Sequence, residues 1–214
     1  MCGIAESQVG LAAEAMTEGD ASDATRAVEL DSEIDELERE VERFVIRLLA
    51  LRQPVADDLR KIVAALKITG DLDRIGDYAA NAVKRSIVLA QYTLPFSLAA
   101  LANMARMVQR NLKTVIDAVG QRDAGLAEKV WRSDRMIDDL YASIFRELIT
   151  YMMEDARNIT PCTHLLFIAR NLERIGDHAT NVAETVYYAT TGESLPDLRP
   201  KGDTSAYAVV RPKT

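Results

Sequence analysis

The chain has little with which to break a helix: ten glycines and six prolines in 214 residues. Aromatics make up only 6% of it, and Ala, Leu, Glu and Arg are abundant. That composition excludes a sheet-dominated fold and predicts an all-α protein. Cysteine is almost absent. Cys2 and Cys162 have no CxxC spacing and no pairing logic, so a disulfide framework is excluded and both are expected as free thiols in a reducing cytoplasm. Basic residues are in deficit, 26 Lys and Arg against 33 Asp and Glu, for a net charge of -7 and a pI near 5.0. This balance argues against nucleic acid as a partner, because that binding is driven by cationic side chains displacing counterions. No run approaches the 18 apolar residues that span a bilayer. The start MCGIAESQVG lacks a basic segment followed by an apolar one, so a soluble, unexported, cytoplasmic protein is expected.

What is present is helical rhythm. With 48% hydrophobic residues the chain can bury a substantial core. DSEIDELEREVERFVIRLLAL, residues 31 to 51, places apolar side chains at 34, 37, 41, 44, 45, 48 and 51, the three-and-four spacing of an amphipathic helix that starts near Asp20. Pro54, with Asp57 and Asp58 in the first turn, opens a further helix to about Tyr92. Thr93 before Pro95 is read as the cap of a helix over 96–119 that Gly120 ends. Asp123 begins a helix to about Glu154 that carries Trp131, the single tryptophan. Thr160 and Pro161 mark the start of a last helix, or a kink in its first turns, and Gly192 ends it. The remaining polar, aperiodic residues 193–214 read as a mobile tail.

The chain also repeats itself. DLDRIGDYAAN at 71–81 and NLERIGDHATN at 171–181 share Leu, Arg, Ile, Gly, Asp, Ala and Asn positions at an offset of 100. Upstream, Asp31 to Leu37 aligns with Asp134 to Leu140 at an offset of 103, and a change in loop length is expected to absorb the difference. Each half then comprises one helix (3–17, or 96–119), a long helix, a turn and a second long helix. The fold predicted is two sequence-related three-helix bundles in tandem, over 1–92 and 93–192. Duplication of a stable packing unit explains the shared Leu and Ile. It does not explain why the acids are shared.

Four pairs have two acids four residues apart: Asp31/Asp35, Asp73/Asp77, Asp134/Asp138 and Glu173/Asp177. Each pair lies on one helix face, where like charges repel by roughly 0.2–0.5 kcal/mol, so a compensating cation is expected. Arg74 and Arg174 point about 100° away from the first acid of their pair and are better placed to meet a neighbouring helix or partner. Asn81 and Asn181 continue the stripes with another oxygen, and Gly76 and Gly176 reduce bulk beside them. Carboxylate and amide oxygens at one-turn intervals suit hard or borderline metal ions. His178 is read as packing rather than ligating, and His164, within THLLFIA, as a satisfied core histidine. Catalytic signatures are lacking. Neither histidine has the Glu three residues before it that di-iron bundles use, and there is no phosphate loop and no nucleophile with a base.

RQPVADDLRKIVAALKITGDLDRIGDYAANAVKR (52–85), LLFIARNLERIGDHATNVAETVYY (165–188) and DSEIDELERE (31–40) resemble the PhoU family of phosphate-signalling regulators. The resemblance covers roughly residues 3–192. It implies two related three-helix bundles whose motif residues bind multinuclear iron or a similar metal, with Mn, Mg or Zn as alternatives. The metal positions it implies are Asp31, Asp35, Asp73, Asp77 and Asn81, then Asp134, Asp138, Glu173, Asp177 and Asn181. It further implies a non-enzymatic adaptor that links the ATPase subunit of a phosphate transporter to a phosphate-sensing histidine kinase, reaching the membrane only through those partners and restraining the kinase when phosphate is plentiful. Two departures stand out. MCGIAESQVGLAAEAM resembles only the second half of the family's first helix, which leaves open a truncated start or completion of the first bundle by another chain, as in a homodimer. Asp73 replaces the commoner Glu, and its shorter arm is expected to loosen the first site. Two alternatives from other classes stand beside this reading: a metal-dependent hydrolase or oxidase on a helical bundle, and a purely structural helical repeat with solvated acids.

Overall fold

A computed structural model of the chain describes residues 1–18, 21–94 and 96–195. Six helices account for most of them: α1 (Cys2–Glu18), α2 (Ala21–Arg52), α3 (Ala56–Leu89), α4 (Ala99–Gln121), α5 (Ala124–Glu154) and α6 (Ile159–Thr191). A 3-10 turn at Ala156–Asn158 leads into α6, and no strand occurs among the described residues. The all-α, duplicated three-helix architecture predicted from the sequence is therefore the one observed. The expected tail lies outside the described residues from position 196 onward.

Helix α3 packs along α6, and this pair forms the seam between the halves. Helix α2 covers α3, α5 covers α6, and α1 and α4 meet each other while packing on α3 and α6 respectively. Small residues are buried along both helices, Ala79, Ala80 and Ala82 on α3 and Ala169, Ala179 and Ala183 on α6, while Gly76 faces α1 and α2 and Gly176 faces Ile137 of α5. Larger side chains such as Ile75, Val83, Leu172 and Ile175 fill the space between them, so one continuous core runs through both halves. The helices α1 and α4 also match at the 103 offset. Ala5, Val9, Ala12 and Ala15 are buried, as are Val108, Leu112, Val115 and Ala118.

Several boundaries differ from those expected. Thr93 caps nothing: α4 begins at Ala99, whose N–H donates to the Ser97 hydroxyl at 3.2 Å. Gly120 does not end α4, which runs on to Gln121 and stops at Arg122 in the left-handed region, φ 53°. Residues Gln53 to Val55 link α2 and α3, so Pro54 precedes α3 rather than opening it. The offset change arises in helix length rather than in the loop: α3 begins at Ala56, 17 residues before Asp73, whereas α6 begins at Ile159, 14 before Glu173. Other signals hold. The Asp123 carboxylate accepts from Gly125 N and Leu126 N at 2.7 and 3.0 Å, capping α5. Pro161 lies in the first turn of α6, and Gly192 terminates it at φ 79°.

Candidate cation site

In the first half, the acids of α2 and α3 face one another. Asp31 and Asp35 stand one turn apart on α2, and Asp73 and Asp77 one turn apart on α3. Their electrostatic coupling shows the pairing. Burial raises the pKa of Asp31, Asp77 adds to that, and Lys84 and a hydrogen bond from Gln8 oppose it. Asp73 is pushed up to about 6, first by burial and then by Glu38, Asp35 and Asp77. The four carboxylates form a ladder between two helices, and Glu38 extends it by a further turn.

Gln8 closes the end of this ladder from α1. Its side chain is fully buried, its Nε2 donates to the Ala27 carbonyl at 3.2 Å, and the amide also bonds Asp31. The amide oxygen, Oε1, is buried with no hydrogen-bond partner. Gly76 makes room for it: a Cβ there would lie 2.7 Å from Gln8 Oε1 and 3.5 Å from Asp31 Oδ1. Arg39 reaches back to Asp35 at 3.3 Å on the exposed side, a contact the sequence reading did not anticipate.

The second half is more enclosed. Asp134, Asp138 and Glu173 are buried between α5 and α6. The Thr180 hydroxyl lies 3.0 Å from Asp134 Oδ1 and from the Gly176 carbonyl. Glu173 Oε1 accepts from Arg170 Nη1 at 3.0 Å, and the same guanidinium lies 5.3 Å from the centre of the Tyr141 ring. Asp177 is half-buried on the same helix. Arg170, one residue ahead of the repeated phrase, is a cation on the Glu173 carboxylate that the repeat itself does not mark.

Other motif residues belong to the seam. His178 Nδ1 is 2.8 Å from Asp71 Oδ1, and Asn181 Nδ2 donates to the same oxygen at 3.4 Å. Tyr78 stacks on His178 with centroids 5.6 Å apart, and Arg174 Nη1 donates to the Tyr78 hydroxyl at 3.3 Å. Arg174 thus meets the other half, as its direction on the helix predicted, and His178 packs and bonds across the seam. Asn81 is exposed. His164 departs from expectation: its Nδ1 is buried without a partner. Both cysteines are free, and burial pushes the Cys162 thiol up to about 11, which keeps it unreactive.

Do the residues suit a metal? Among the described residues no three His, Cys, Asp or Glu side chains converge at ligand spacing. The donor chemistry nevertheless fits in the first half, where burial and the neighbouring carboxylates raise the pKa of Asp31 and Asp73 and a buried amide oxygen beside them has no partner.

The fold and the acidic ladder together define a duplicated helical-bundle protein with paired carboxylates on facing helices. A PhoU domain profile matches residues 1–86 and again 101–186. The chain belongs to the PhoU family. Among its relatives is a phosphate-specific transport system accessory protein PhoU homolog of Caulobacter vibrioides, 49% identical over 204 residues, 95% of this chain and 89% of that protein. The Rhizobium meliloti homolog is 45% identical over the same share of this chain and 86% of its own length. The crystal structure of PhoU from Pseudomonas aeruginosa superposes with a TM-score of 0.87 at 39% identity, covering 90% of this chain and 93% of that one. The phosphate transport system regulatory protein PhoU from Streptococcus pneumoniae gives 0.81 at 26%, covering 91% and 92%. Among the described residues no helix is long and apolar enough to cross a membrane.

Proposed function

We propose that this protein is a non-enzymatic accessory regulator of phosphate uptake that binds metal ions through its acid ladders. The observation that carries the regulatory part is the match of both repeats to the PhoU domain, together with 49% identity to a phosphate transport accessory protein across 95% of the chain. The metal part rests on the facing acids of the first half, where burial and the neighbouring carboxylates raise Asp31 and Asp73, and on the buried Gln8 oxygen beside them. Asp31, Asp35, Asp73 and Asp77 would hold an oxygen-seeking ion, iron first and Mn, Mg or Zn as alternatives, and the ion would supply the positive charge that lets all four ionise. Asp134, Asp138, Glu173 and Asp177 are the matching set of the second half.

In the finer reading the protein works in the cytoplasm and links the transporter's ATPase subunit to a sensor kinase. Exposed apolar side chains cluster around the α2–α3 turn, at Phe44, Ile46, Leu51 and Val55, and this end of the molecule favours a protein partner. The test is complementation. In a host lacking its own PhoU, the wild-type chain is expected to restore repression of a phosphate-starvation reporter in phosphate-rich medium. The Asp77→Ala/Asp177→Ala double variant is expected to lose metal by elemental analysis, and to lose repression with it. Repression by a metal-free double variant would leave the regulatory role and remove the metal from it.

A further inference from the structure

The two halves fill matching places differently. In the second half Phe96, Leu98 and Leu101 lead into α4 and leave a void of only about 20 Å³ beside Ile144, Leu148 and Leu165. Leu101 is 4% exposed, and the Phe96 ring stacks on Tyr151 with centroids 4.3 Å apart. At the 103 offset Met104 matches Met1, so the places matching Phe96 to Leu101 precede Met1. Among the described residues that region of the first half is a groove of about 650 Å³, lined by Met1, Cys2, Val41, Ala65, Ile68 and Val186. Ala65 is exposed where its counterpart Leu165 is buried. The groove continues along α2. Leu37, Val41, Phe44, Leu48 and Leu51 follow at three- and four-residue spacing on one face, over about 21 Å. None of them is buried, and Phe44 and Leu51 are 63% and 74% exposed. Their counterparts on α5 are Glu147 and Glu154. The stripe is thus fully apolar only in the half where nothing described covers it, which marks it as a contact surface.

We propose that this groove is the docking site for an amphipathic helix of a partner protein, roughly four turns long, with bulky apolar residues on one face and acidic residues beside them. This deepens the reading of the protein as a regulator that works through partners, and rests on it. The second half supplies the template, since an aromatic residue and two leucines entering a helix already fill the matching place there. Phe44 and Leu51 make the groove continuous with the exposed apolar residues of the α2–α3 turn. Charge selects the acidic flank. The charged side chains lining the groove are Lys61 and Arg122, with Lys61 also 3.5 Å from Asp58. Asp57, beside Asp58, is paired with Arg60. After Glu40 and Glu42, residues 43–52 of α2 hold Arg43, Arg47 and Arg52 and no acid.

The experiment titrates the full chain into a fluorescent peptide of residues 94–105, LPFSLAALANMA, followed by anisotropy. Cys2 is a second reporter, because it lines the groove whereas Cys162 is fully buried. The peptide is expected to bind and to slow maleimide modification of Cys2 severalfold. Ser97→Glu/Asn103→Glu in the peptide, at positions exposed in the second half, should tighten binding, with the gain lost at high salt. Phe44→Glu in the protein installs the second-half residue at an exposed position, so folding is spared and circular dichroism should not change. It should weaken the acidic peptide about tenfold, and in the complementation host it should lose repression. Grafting residues 94–103 directly before Met1 should fill the groove in cis, protect Cys2 and abolish peptide binding. Four results overturn the inference and spare the regulatory reading: no peptide bound by wild type, binding or repression that survives Phe44→Glu, a wild-type dimer that Phe44→Glu dissociates, or uptake seen only after residues 196–214 are removed. The third would give the groove to a second copy and the fourth to the chain's own C-terminal segment. Failure of the wild-type chain to repress sinks both readings.

Discussion

Asp73 couples the charge of the ladder to stability. In the folded protein it keeps its proton up to about pH 6, whereas the unfolded chain releases it near the ordinary value of 3.8. Between those values the folded form binds more protons, so stability falls as pH rises. The contribution is fully present below 3.8 and lost through about 6, and Asp31, also raised, acts in the same direction. Cation-free protein is therefore expected to melt at a lower temperature at pH 7.5 than at pH 5. Asp73→Asn should flatten that difference, and a cation added at pH 7.5 should restore the lost stability. An unchanged pH profile in Asp73→Asn would show that Asp73 is not the group responsible. At this scale the sequence was only partly legible. The acid-x-x-x-acid spacing found the ladder, because a separation of four fixes a common helix face. Gln8, Glu38 and Arg170 were missed because they lie outside the phrase that repeats. Their signal was present in the places where the two copies disagree, Glu38 against Tyr141 and Gly70 against Arg170.

Helices were legible by periodicity, and their ends only where one local interaction decides the matter. Asp123 was read as the start of α5, and its carboxylate accepts two backbone N–H groups that would otherwise be unpaired. Asp123→Ala is expected to cost about 0.5–2 kcal/mol in urea denaturation without changing the fold. A loss within error would show that solvent satisfies those donors equally well. Thr93 and Gly120 misled for a common reason. A capping residue type marks a terminus only when the chain direction brings its side chain to the free N–H groups, and at α4 the Ser97 hydroxyl is the group that reaches Ala99. Gly120 stays helical because Arg122 adopts the left-handed turn two residues later. The three-residue change in offset could not be assigned to α3 from the sequence, since an added turn at a helix end preserves the apolar rhythm as well as a longer loop does.

At the scale of the molecule, two halves readable as separate repeats share one core through α3 and α6. The seam is sealed by small residues inside and by polar pairs at its edge, His178 with Asp71 and Arg174 with Tyr78. Unfolding is therefore expected to be a single transition. Trp131, the single tryptophan, lies in the second half and donates to Glu184 at 3.1 Å, so its fluorescence reports that half alone. Its denaturation midpoint should coincide with that of far-ultraviolet circular dichroism, which reports both halves; separated midpoints would mean that the bundles unfold independently. The seam was illegible in advance because alanine positions carry no strong periodic signal, although small side chains decide how closely two helices approach.

Arg170 and Glu173 are bonded within one helix, so the second half carries a positive charge on its own chain beside its buried acids. The first-half acids have Lys84 on α3 and Arg39 on α2 instead. The duplicated halves therefore hold the same carboxylate pattern against cations that come from different positions, and a substitution at one of those cations perturbs one copy while the other serves as its control.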